Sequence, residues 1–458
     1  MKVLKDEVYK SSMFNHFVDD PESGSLILFN SYLGARSIVS VPLLKKNKIK
    51  KWFDNASVYK ESVIGDDDFI KLSQMGYFVA DSVNEKTRRD VLLTKLRNDS
   101  TLRLVIHTSK ACNFRCKYCY LHFKDEYTPE DNISSDVQEG IINFVRDNIQ
   151  NFSAVHVDWF GGEPLLSTIA IQHISKKLIE ICREAHKPYE AVITTNGYLL
   201  TPKNIDMLIE SKVRHFAITI DGIKEQHDSF RVLKNGDGTF DRIISNLLYI
   251  RDNIKTRTIS VSLRSNITVD AVESLEKYYE FYNKMFGDDS RFYLFVRPVK
   301  DLGGESVSQI SSSLFQKNQI DFSVVLDKLG GIVDRIKFDA NFMDLNVGGI
   351  RCFANNENRY TIGVDGLISK CDESIPEVGI GNLDKKGQMH LNFNRLNKWM
   401  QPSRVSKKCD ECFYSCCCFM DPCPKSRVNS GQESCPSTYR EIDSLILLYV
   451  KSYPTEVL

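Results

Sequence analysis

The distribution of the cysteines constrains this chain more than any other feature of its sequence. Of its 13 cysteines, three lie between Cys112 and Cys119, Cys182 stands alone, and nine lie between Cys352 and Cys435. Cysteines that serve only as small core hydrophobes would be spread along the chain. Clustered thiols in a reducing compartment indicate metal or iron–sulfur ligation instead. Cys182 lies among Ile and Leu in a helical stretch, and we interpret it as a buried small hydrophobe.

The rest of the composition is that of a globular protein. The chain has 458 residues, with 60 basic and 60 acidic side chains, and this length predicts roughly two to four domains. The zero net charge argues against a dedicated nucleic-acid binder. No apolar run approaches the roughly 18 residues of a membrane span, and the first residues, MKVLKDEVYKSSMF, lack the apolar region of a signal peptide. We therefore predict a cytoplasmic protein with neither a nucleic acid nor a membrane as partner.

Strand-like and helix-like segments alternate after the first hundred residues. The candidate strands are Leu102–Thr108, Ala154–Phe160, Tyr189–Thr194, Arg214–Ile220, Thr258–Arg264 and Arg291–Arg297. The candidate helices between them are Ser134–Ile149, with Ser134 as N-cap, Thr168–His186, Pro202–Ser211, Phe240–Asn253 and Val269–Phe286. Strands separated by amphipathic helices indicate βα repeats and a parallel sheet. The predicted class is α/β, and residues 101–310 form the predicted main domain.

The segments on either side of this domain have a different texture. Residues 1–100 combine two β-like runs within Ser25–Pro42, a strand near Gly76–Ser82 and three helical stretches, which predicts a small α+β module of winged-helix type. The helical stretches are Leu44–Phe53, Asp67–Met75 and Asn84–Ser100. Residues 311–346 are a predicted bridging segment with a helix over Leu314–Leu329, preceded by a Gly- and Ser-rich loop. Residues 347–440 are a predicted cysteine-rich domain, and residues 441–458 a helix and tail, the helix over Thr438–Lys451.

The first cysteine cluster reads TSKACNFRCKYCY and follows a predicted strand. Its C-x3-C-x2-C spacing places Cys112, Cys116 and Cys119 on one short loop, where three thiolates can bind three irons of a 4Fe–4S cluster. The fourth iron is then left for a non-protein ligand. The alternative is a zinc site, for which His107 or His122 would be the fourth ligand.

This cluster resembles that of the radical SAM superfamily, and the resemblance extends from Leu102 to Arg297 because further motifs follow in order. They are WFGGEP after the second strand, TTNG after the third, TIDG after the fourth, and HDSFR beyond it. The resemblance implies a partial (β/α)6 barrel, a cluster held by the three cysteines, and S-adenosylmethionine (SAM) bound to its open iron. The reduced cluster then cleaves SAM to a 5′-deoxyadenosyl radical, which abstracts a hydrogen atom from the substrate.

Each motif contributes residues to the implied site. The glycines of GGEP permit close approach of the backbone to a ligand, Glu163 complements the SAM ammonium, and Arg231 pairs with its carboxylate. Asp221 faces the cavity as the candidate catalytic residue, and its alternative role, like that of Thr195 and Asn196, is a turn or cap residue. For Arg231 the alternative is a surface ion pair with Asp228 or Asp237. The implied SAM-binding residues are Tyr118, Gly161, Gly162, Glu163, Thr195, Asn196, Arg231, Ser262 and Arg264, with Asn266 beside the last two.

The second group of cysteines resembles the SPASM extension of radical SAM enzymes, which houses two auxiliary 4Fe–4S clusters. The hairpin signal Asp365–Gly366 lies within it, flanked by strands Arg359–Val364 and Leu367–Lys370. The resemblance assigns Cys352, Cys371 and Cys423 to the nearer cluster and Cys409, Cys412, Cys418 and Cys435 to the distal one. Four residues separate Cys418 from Cys423 where the family has three, so Cys416 and Cys417 remain alternative ligands. A zinc ribbon built on Cys409 and Cys412 is the other interpretation.

Radical SAM enzymes with this extension mostly modify peptides or proteins. The resemblance predicts an oxidoreductase that matures a ribosomally made precursor peptide, whose leader adds as a strand to the N-terminal module. The product would carry a thioether, carbon–carbon or ether crosslink. An external flavodoxin- or ferredoxin-like protein would be the electron donor. The alternatives are an anaerobic sulfatase-maturing enzyme, which forms formylglycine, and a peptide-binding scaffold without SAM chemistry.

Overall fold

The computed structural model describes residues 8–54, 66–121, 126–301, 305–308, 310–315, 322–330, 341–349, 352–372, 379–400, 407–420, 423–431 and 435–458. Two of the expectations reach beyond these residues. His122 lies outside them, and so does part of the helix predicted over Leu314–Leu329. Within the described residues, no helix is long and apolar enough to cross a membrane.

The N-terminal part contains an antiparallel sheet, a separate antiparallel pair of strands, and three helices. Its strands and helices are β1 (Tyr9–Ser11), β2 (Asn15–Asp19), β3 (Leu26–Asn30), β4 (Val39–Val41), α1 (Leu43–Asp54), α2 (Asp67–Gln74), β5 (Phe78–Ala80) and α3 (Glu85–Arg97). Strands β2, β3 and β4 form the sheet, which we call the N-terminal sheet, and β1 pairs with β5. The apolar run of β3 is buried throughout, because β3 lies between β2 and β4 and beneath the helices. Asp66 caps α2 and Asn84 caps α3 through side-chain oxygens that accept backbone N–H groups. Strands β1 and β2 were not predicted, because their polar residues give no alternating pattern.

Six parallel strands form the centre of the molecule, and their order in the sheet is their order in the chain. They are β6 (Leu102–Ser109), β7 (Val155–Gly161), β8 (Tyr189–Thr195), β9 (Val213–Thr219), β10 (Ser260–Ile267) and β11 (Phe292–Pro298). The connecting helices are α4 (Ser135–Asn148), α5 (Thr168–Glu184), α6 (Pro202–Glu210), α7 (Lys224–Phe230), α8 (Phe240–Asn253) and α9 (Leu275–Phe286). This confirms the predicted α/β class and the large parallel sheet of a partial barrel. Ser134 caps α4 as expected.

Burial alternates along the barrel strands. In β7, for example, Val155, Val157 and Trp159 are buried, whereas His156 and Asp158 between them are only half-buried. Because successive side chains of a strand point to opposite faces, the apolar face packs against the helices and the other face lines the barrel interior. Chemistry can therefore occur inside the barrel without disturbing its core.

The sheet continues past β6 into the C-terminal part of the chain. The added strands are β12 (Arg359–Ile362), β13 (Leu367–Ser369), β14 (Gly381–Leu383) and β15 (Met389–Leu391), and β12 pairs parallel with β6. The predicted hairpin turn is present at Gly366, which has a φ of 81°. The short helices that follow β11 are α10 (Glu305–Ser308), α11 (Ser323–Gly330), α12 (Phe393–Met400), α13 (Lys407–Asp410), α14 (Ser415–Cys418) and α15 (Pro424–Ser430). Helix α16 (Ile442–Ser452) and strand β16 (Glu456–Val457) return to the N-terminal sheet.

One observed helix is shorter than predicted, and another lies where no element was predicted. The helix expected over Val269–Phe286 begins with a 3-10 stretch over Val269–Ser274, and only Leu275–Phe286 is α-helical. The HDSFR motif, to which the sequence assigned no element, lies mostly in α7. A seven-residue polar helix has too few apolar positions to show a helical period.

Candidate active site

The three cysteines of the first cluster lie on the loop after β6, at the carboxyl end of the parallel strands. Two backbone hydrogen bonds of 2.8 Å join this loop to the end of β7, from Gly162 N to Ser109 O and from Glu163 N to Ala111 O. Three more join it to the chain around Arg231: Arg115 N to Val232 O, Lys117 N to Phe230 O, and Lys234 N to Asn113 O. The cysteine loop is therefore fixed from both sides by the motifs that follow strands two and four.

The thiols of this loop are suited to an iron–sulfur cluster: Cys112 and Cys116 are buried, and Cys119 is half-buried. Burial raises the pKa of Cys116 to about 12, against the opposing effect of Arg231. Burial, together with the charge of Glu163, raises the pKa of Cys112 as well. Such thiols become thiolates when they bind a cation. Two N–H donors already face Cys112 Sγ, the backbone of Phe114 at 3.4 Å and Asn196 Nδ2 at 3.9 Å. These donors and the three thiols fit the cluster that the spacing predicts.

Over the described ranges, no three His, Cys, Asp or Glu side chains form a group suited to a single metal ion. His107 is the candidate fourth zinc ligand that lies within the described residues. It is buried, and its Nε2 atom has no hydrogen-bond partner. A four-iron cluster has different requirements, because each thiolate binds a separate iron.

The glycines of the GGEP motif let the end of β7 approach the cysteine loop. A Cβ atom at Gly162 would lie 2.2 Å from Ala111 O, and one at Gly161 would lie 2.4 Å from Ser109 O. Gly161 also has a φ of 130°, which L-residues rarely adopt. The two glycines therefore let the backbone at the end of β7 lie directly against the cysteine loop, whereas the sequence predicted a close approach to a ligand.

Glu163 connects the ends of β7 and β8. It is fully buried, and its carboxylate accepts hydrogen bonds from Thr195 Oγ1 at 2.7 Å, Asn196 N at 2.8 Å and Leu165 N at 3.0 Å. Burial raises the pKa of Glu163, and these three donors oppose the rise. Asn196 continues the connection, since its side chain donates to Asn113 Oδ1 at 2.8 Å. The structure thus brings together three of the expected residues, Glu163, Thr195 and Asn196, although Glu163 already has partners within the protein.

A second group of polar side chains surrounds Tyr118, between the second and third cysteines. The Tyr118 hydroxyl donates to Asp221 Oδ2 and accepts from Arg231 Nη1 at 2.6 Å and from Asn266 Nδ2 at 3.2 Å. The backbone N–H of Asn266 donates to Asp221 Oδ1 at 2.9 Å. Burial raises the pKa of Asp221, and the Arg231 charge and the Tyr118 hydrogen bond act against it. Residues from three motifs therefore meet beside the cysteine loop.

Arg231 is buried, so its alternative assignment as part of a surface ion pair is wrong. Its guanidinium lies over the rings of Phe114 and Tyr118, at 5.6 Å and 5.9 Å from their centroids, and its Nε atom has no hydrogen-bond partner. Asp228 instead accepts the backbone N–H groups of Thr239 and Phe240 at the start of α8. An unpaired, buried guanidinium N–H suits an anionic ligand such as a carboxylate.

The two β10 residues of the predicted site lie apart from this group. Ser262 faces the barrel interior, where its hydroxyl is 3.0 Å from His215 Nε2. Arg264 is exposed and donates to Asn266 Oδ1 at 3.1 Å. Deeper in the barrel, His156 bridges Asp158 and Glu190 at 2.9 Å and 3.0 Å. This polar interior was not predicted from the sequence. Its only signal was polar residues at alternate positions of the strands.

His227 supports Asp221 from behind and was also missed as an individual residue. Its Nδ1 atom accepts the backbone N–H of Asp221 at 3.2 Å, which leaves the proton on Nε2. Nε2 then donates to Thr239 Oγ1 at 3.0 Å, and that hydroxyl donates to the Arg231 carbonyl at 2.7 Å. This chain of hydrogen bonds fixes the backbone at both Asp221 and Arg231, and it requires a neutral imidazole.

The neutral state of His227 predicts a loss of stability in acid. Burial, and then the Arg231 charge, lower the pKa of His227 well below its ordinary value of 6.5. As the pH falls below about 6.5, the unfolded chain therefore binds a proton that the folded protein excludes. The free energy of unfolding then decreases by up to about 1.4 kcal/mol per pH unit from this residue. In His227→Gln, which keeps a donor and an acceptor, urea denaturation is expected to show a weaker dependence between roughly pH 7 and pH 5.5.

The exposed His173 provides the control for this experiment, because it pairs only with Glu139 on the surface. His173→Gln is expected to keep the pH dependence of the parent protein. Equal dependence in the parent and both variants would contradict the assignment of a neutral, buried imidazole to His227.

The C-terminal cysteines form two groups. Cys352 and Cys423 are hydrogen-bonded to each other, which, together with burial, raises the pKa of Cys352. Cys371 is buried directly after β13. In the second group, burial and the neighbouring thiols of Cys412, Cys409 and Cys435 together raise the pKa of Cys418 to about 12. The four thiols expected at the distal cluster thus lie close enough to interact.

Helix α14 directs the thiols of its three consecutive cysteines to different surroundings. Cys417 is fully buried, and its thiol donates to the carbonyls of Ser31 at 3.7 Å and Leu345 at 3.5 Å, away from the solvent side. Cys416 is fully buried beside it. Cys418 is the member that faces Cys412. This geometry favours Cys418 over its two neighbours as a ligand.

This chain is similar to two curated proteins and to a solved structure. It is 28% identical over 190 residues to the Fe-coproporphyrin III synthase of Methanosarcina barkeri, a match that spans 41% of this chain and 42% of that synthase. It is 23% identical over 355 residues to the serine-type anaerobic sulfatase-maturating enzyme of Bacteroides thetaiotaomicron, which spans 71% and 83% of the two chains. The solved structure of native anSMEcpe with bound AdoMet and Cp18Cys peptide is 17% identical, with a TM-score of 0.58 over 77% of this chain and 99% of that chain.

The structural likeness, at this identity, establishes the fold alone. Residues 106–280 match the family model described as the radical SAM superfamily. This range begins within β6 and ends within α9, and it contains the cysteine loop, the GGEP motif, Tyr118, Asp221 and Arg231. The chain therefore contains a radical SAM domain, and SAM and a 4Fe–4S cluster are the cofactors that such a domain implies.

Proposed function

We propose that this protein is a radical SAM maturase that abstracts hydrogen from a precursor peptide and forms an intramolecular thioether, carbon–carbon or ether crosslink. The observation that carries the proposal is the combination in one chain of the buried cysteine loop, the C-terminal thiol groups and a separate N-terminal sheet. That sheet is attached to the cysteine-rich part, where Arg89 of α3 donates to Asp410 Oδ1 at 3.0 Å. We propose a cytoplasmic location, and an external flavodoxin- or ferredoxin-like protein as electron donor.

Each part of the site has a task in this proposal. Cys112, Cys116 and Cys119 hold the SAM-binding cluster, which together with SAM supplies the hydrogen-abstracting radical when both are bound. Arg231 has a free Nε–H to donate to the SAM carboxylate. Tyr118 is held in place by Arg231 and Asp221, so its ring is fixed for contact with the adenine. Glu163, Thr195 and Asn196 keep the ends of two strands together around the cofactor, with Gly161, Gly162, Ser262 and Arg264 as further contacts.

Crosslinking removes two hydrogens from the peptide. One leaves as an atom that forms 5′-deoxyadenosine, and the other leaves as a proton and an electron. The proton needs a base at the barrel interior, for which Asp221 is the candidate. The electron needs a one-electron acceptor, and two auxiliary 4Fe–4S clusters on the C-terminal cysteines are the proposed acceptors. Cys352, Cys371 and Cys423 are proposed for one, and Cys409, Cys412, Cys418 and Cys435 for the other.

The comparisons support a peptide as the substrate. The anSMEcpe structure is one with bound AdoMet and Cp18Cys peptide, and the relative that matches the greater part of this chain is a sulfatase-maturating enzyme. About a quarter of this chain lies outside the likeness to anSMEcpe with AdoMet, which covers 76% of it. An additional N-terminal module that binds a leader peptide would account for such an excess.

Formylglycine formation is the second candidate, because sulfatase-maturating relatives match 83% to 93% of their own length. The two reactions can be separated chemically. Crosslinking lowers the peptide mass by two hydrogen atoms and forms no aldehyde. Formylglycine formation leaves an aldehyde, which reacts with a hydroxylamine probe.

Anaerobic incubation of the protein with SAM, dithionite and synthetic peptides encoded by short reading frames beside its gene tests the proposal. We expect 5′-deoxyadenosine and, for one peptide, the loss of two hydrogens with no reaction toward the hydroxylamine probe. A product that reacts with the probe would establish the second candidate instead. Protein that contains iron and binds a peptide but yields no 5′-deoxyadenosine would be a scaffold and would overturn the proposal.

A further inference from the structure

The N-terminal sheet has two edges with different surroundings. The β2 edge lies against the C-terminal part, where the His16 ring stacks on Phe413 at 4.1 Å and His16 Nε2 contacts Asp443 Oδ1 at 2.6 Å. At the opposite edge lies β4. Its neighbour there is β16, a strand of two residues that comes from the far end of the described chain. The β4 edge is thus paired, but only by a short segment.

We call residues 456–458 the edge segment. Glu456 and Val457 pair in parallel with Val39 and Ser40, and Leu458 N donates to Ser40 O at 3.0 Å. The pairing places the edge segment along β4 in the manner of an added strand.

One side chain of the module recognises the edge segment. Lys71 Nζ of α2 lies 3.0 Å from Glu456 Oε1 and donates to Val457 O at 3.0 Å. Leu458 packs, partly buried, against the apolar cluster that includes Trp52 and Phe69. The site at the β4 edge therefore has three elements: backbone groups of a strand, an ammonium for a carboxylate, and an apolar surface for an aliphatic side chain.

The contacts that hold the edge segment are weak. Glu456 and Val457 are exposed, Val457 at 59%, so their side chains bury little apolar surface. The Lys71–Glu456 pair is itself exposed, and such pairs contribute little net stability. A peptide that pairs along the whole of β4 would make the same backbone contacts and more. The edge segment is therefore displaceable without unfolding the module.

We propose that the β4 edge is the docking site for an extended peptide and that the edge segment occupies it in the free protein, so the two compete. This proposal rests on the proposed function for the identity of the partner, which is the precursor peptide. The contacts define the partner chemically: an acidic residue opposite Lys71, followed two positions later by an aliphatic residue. Because of this competition, peptides that lack this pattern would not displace the edge segment and would not bind the module.

A labelled synthetic peptide with the sequence of residues 451–458, KSYPTEVL, tests the competition without knowledge of the substrate. Two proteins are compared, the full chain and a variant that lacks residues 456–458. The variant is expected to bind the peptide at least about tenfold more tightly, because the full chain must first release its own segment. Lys71→Glu in the shortened variant is expected to reverse that gain.

Lys451→Ala is the matched control, since Lys451 lies in α16 and pairs with Glu22, away from β4. It is expected to bind the peptide as weakly as the full chain. Equal affinity in the full chain and the shortened variant would overturn the proposal, and so would a folded variant that does not bind. Hydrogen exchange of the β4 amides, slowed by the peptide only in the shortened variant, locates the binding. None of these measurements requires SAM cleavage, so their failure is distinct from failure of the proposed function.

Discussion

Replacement of Cys112, Cys116 and Cys119 together by alanine is expected to abolish 5′-deoxyadenosine formation and to lower the iron content by about four per chain. The reason is the position of these thiols on one buried loop, fixed between the GGEP motif and the segment around Arg231. Without them, the described part of this loop has no other thiol to hold the cluster, and the cofactors supply the difficult chemistry. Iron and sulfide analysis of anaerobically reconstituted protein measures the first effect, and chromatography of nucleosides the second.

Cys182→Ala is the control for this triple variant. Cys182 is buried in α5 among the core residues, far in sequence from both cysteine groups. Its loss is expected to cost about 1 kcal/mol of stability through a small cavity and to leave both iron and 5′-deoxyadenosine unchanged. If the triple variant kept the iron content of the Cys182→Ala protein, the three cysteines would not be the ligands.

The barrel strands could be predicted because each is a short run in which buried apolar residues recur between amphipathic helices, a pattern set by short-range sequence. The positions of the cysteine motif and of GGEP followed from the same alternation, since both come at strand ends. The edges of the fold were less accessible. Strand β2, with the sequence NHFVD, is stabilised by its long-range pairing with β3. Local propensity could not indicate that pairing.

The candidate site could also be predicted only in part. The motifs indicated its residue types, but not the hydrogen-bond partners of those residues. Nothing in the sequence around Glu163 indicates that Thr195 and Asn196 would provide its hydrogen bonds, because those residues are more than thirty positions away. The choice among Cys416, Cys417 and Cys418 was open for a similar reason. One turn of helix points the three thiols in different directions, and the surroundings of that turn come from distant segments such as Ser31.

Gly162→Ala is expected to have an effect out of proportion to one methyl group. The new Cβ would lie 2.2 Å from Ala111 O and 2.8 Å from Lys110 O, both backbone atoms directly before Cys112. Backbone cannot rotate away as a side chain can, so the loop must move and lose its bonds from Gly162 N and Glu163 N. Overpacking of this kind costs about 3 kcal/mol. We expect a lower melting temperature and an iron content reduced by up to about four per chain.

Gly236→Ala separates this steric effect from the ordinary cost of replacing a glycine. Gly236 has a φ of 89°, and no atom lies within 4 Å of its added Cβ, so only the left-handed backbone is penalised, by about 1 kcal/mol. At Gly162 the φ is not left-handed, but the position is crowded. If Gly162→Ala matched Gly236→Ala in both melting temperature and iron content, the close contact between β7 and the cysteine loop would be refuted. If its iron alone were lost, the contact would act on the cysteine loop without supporting the fold of the barrel.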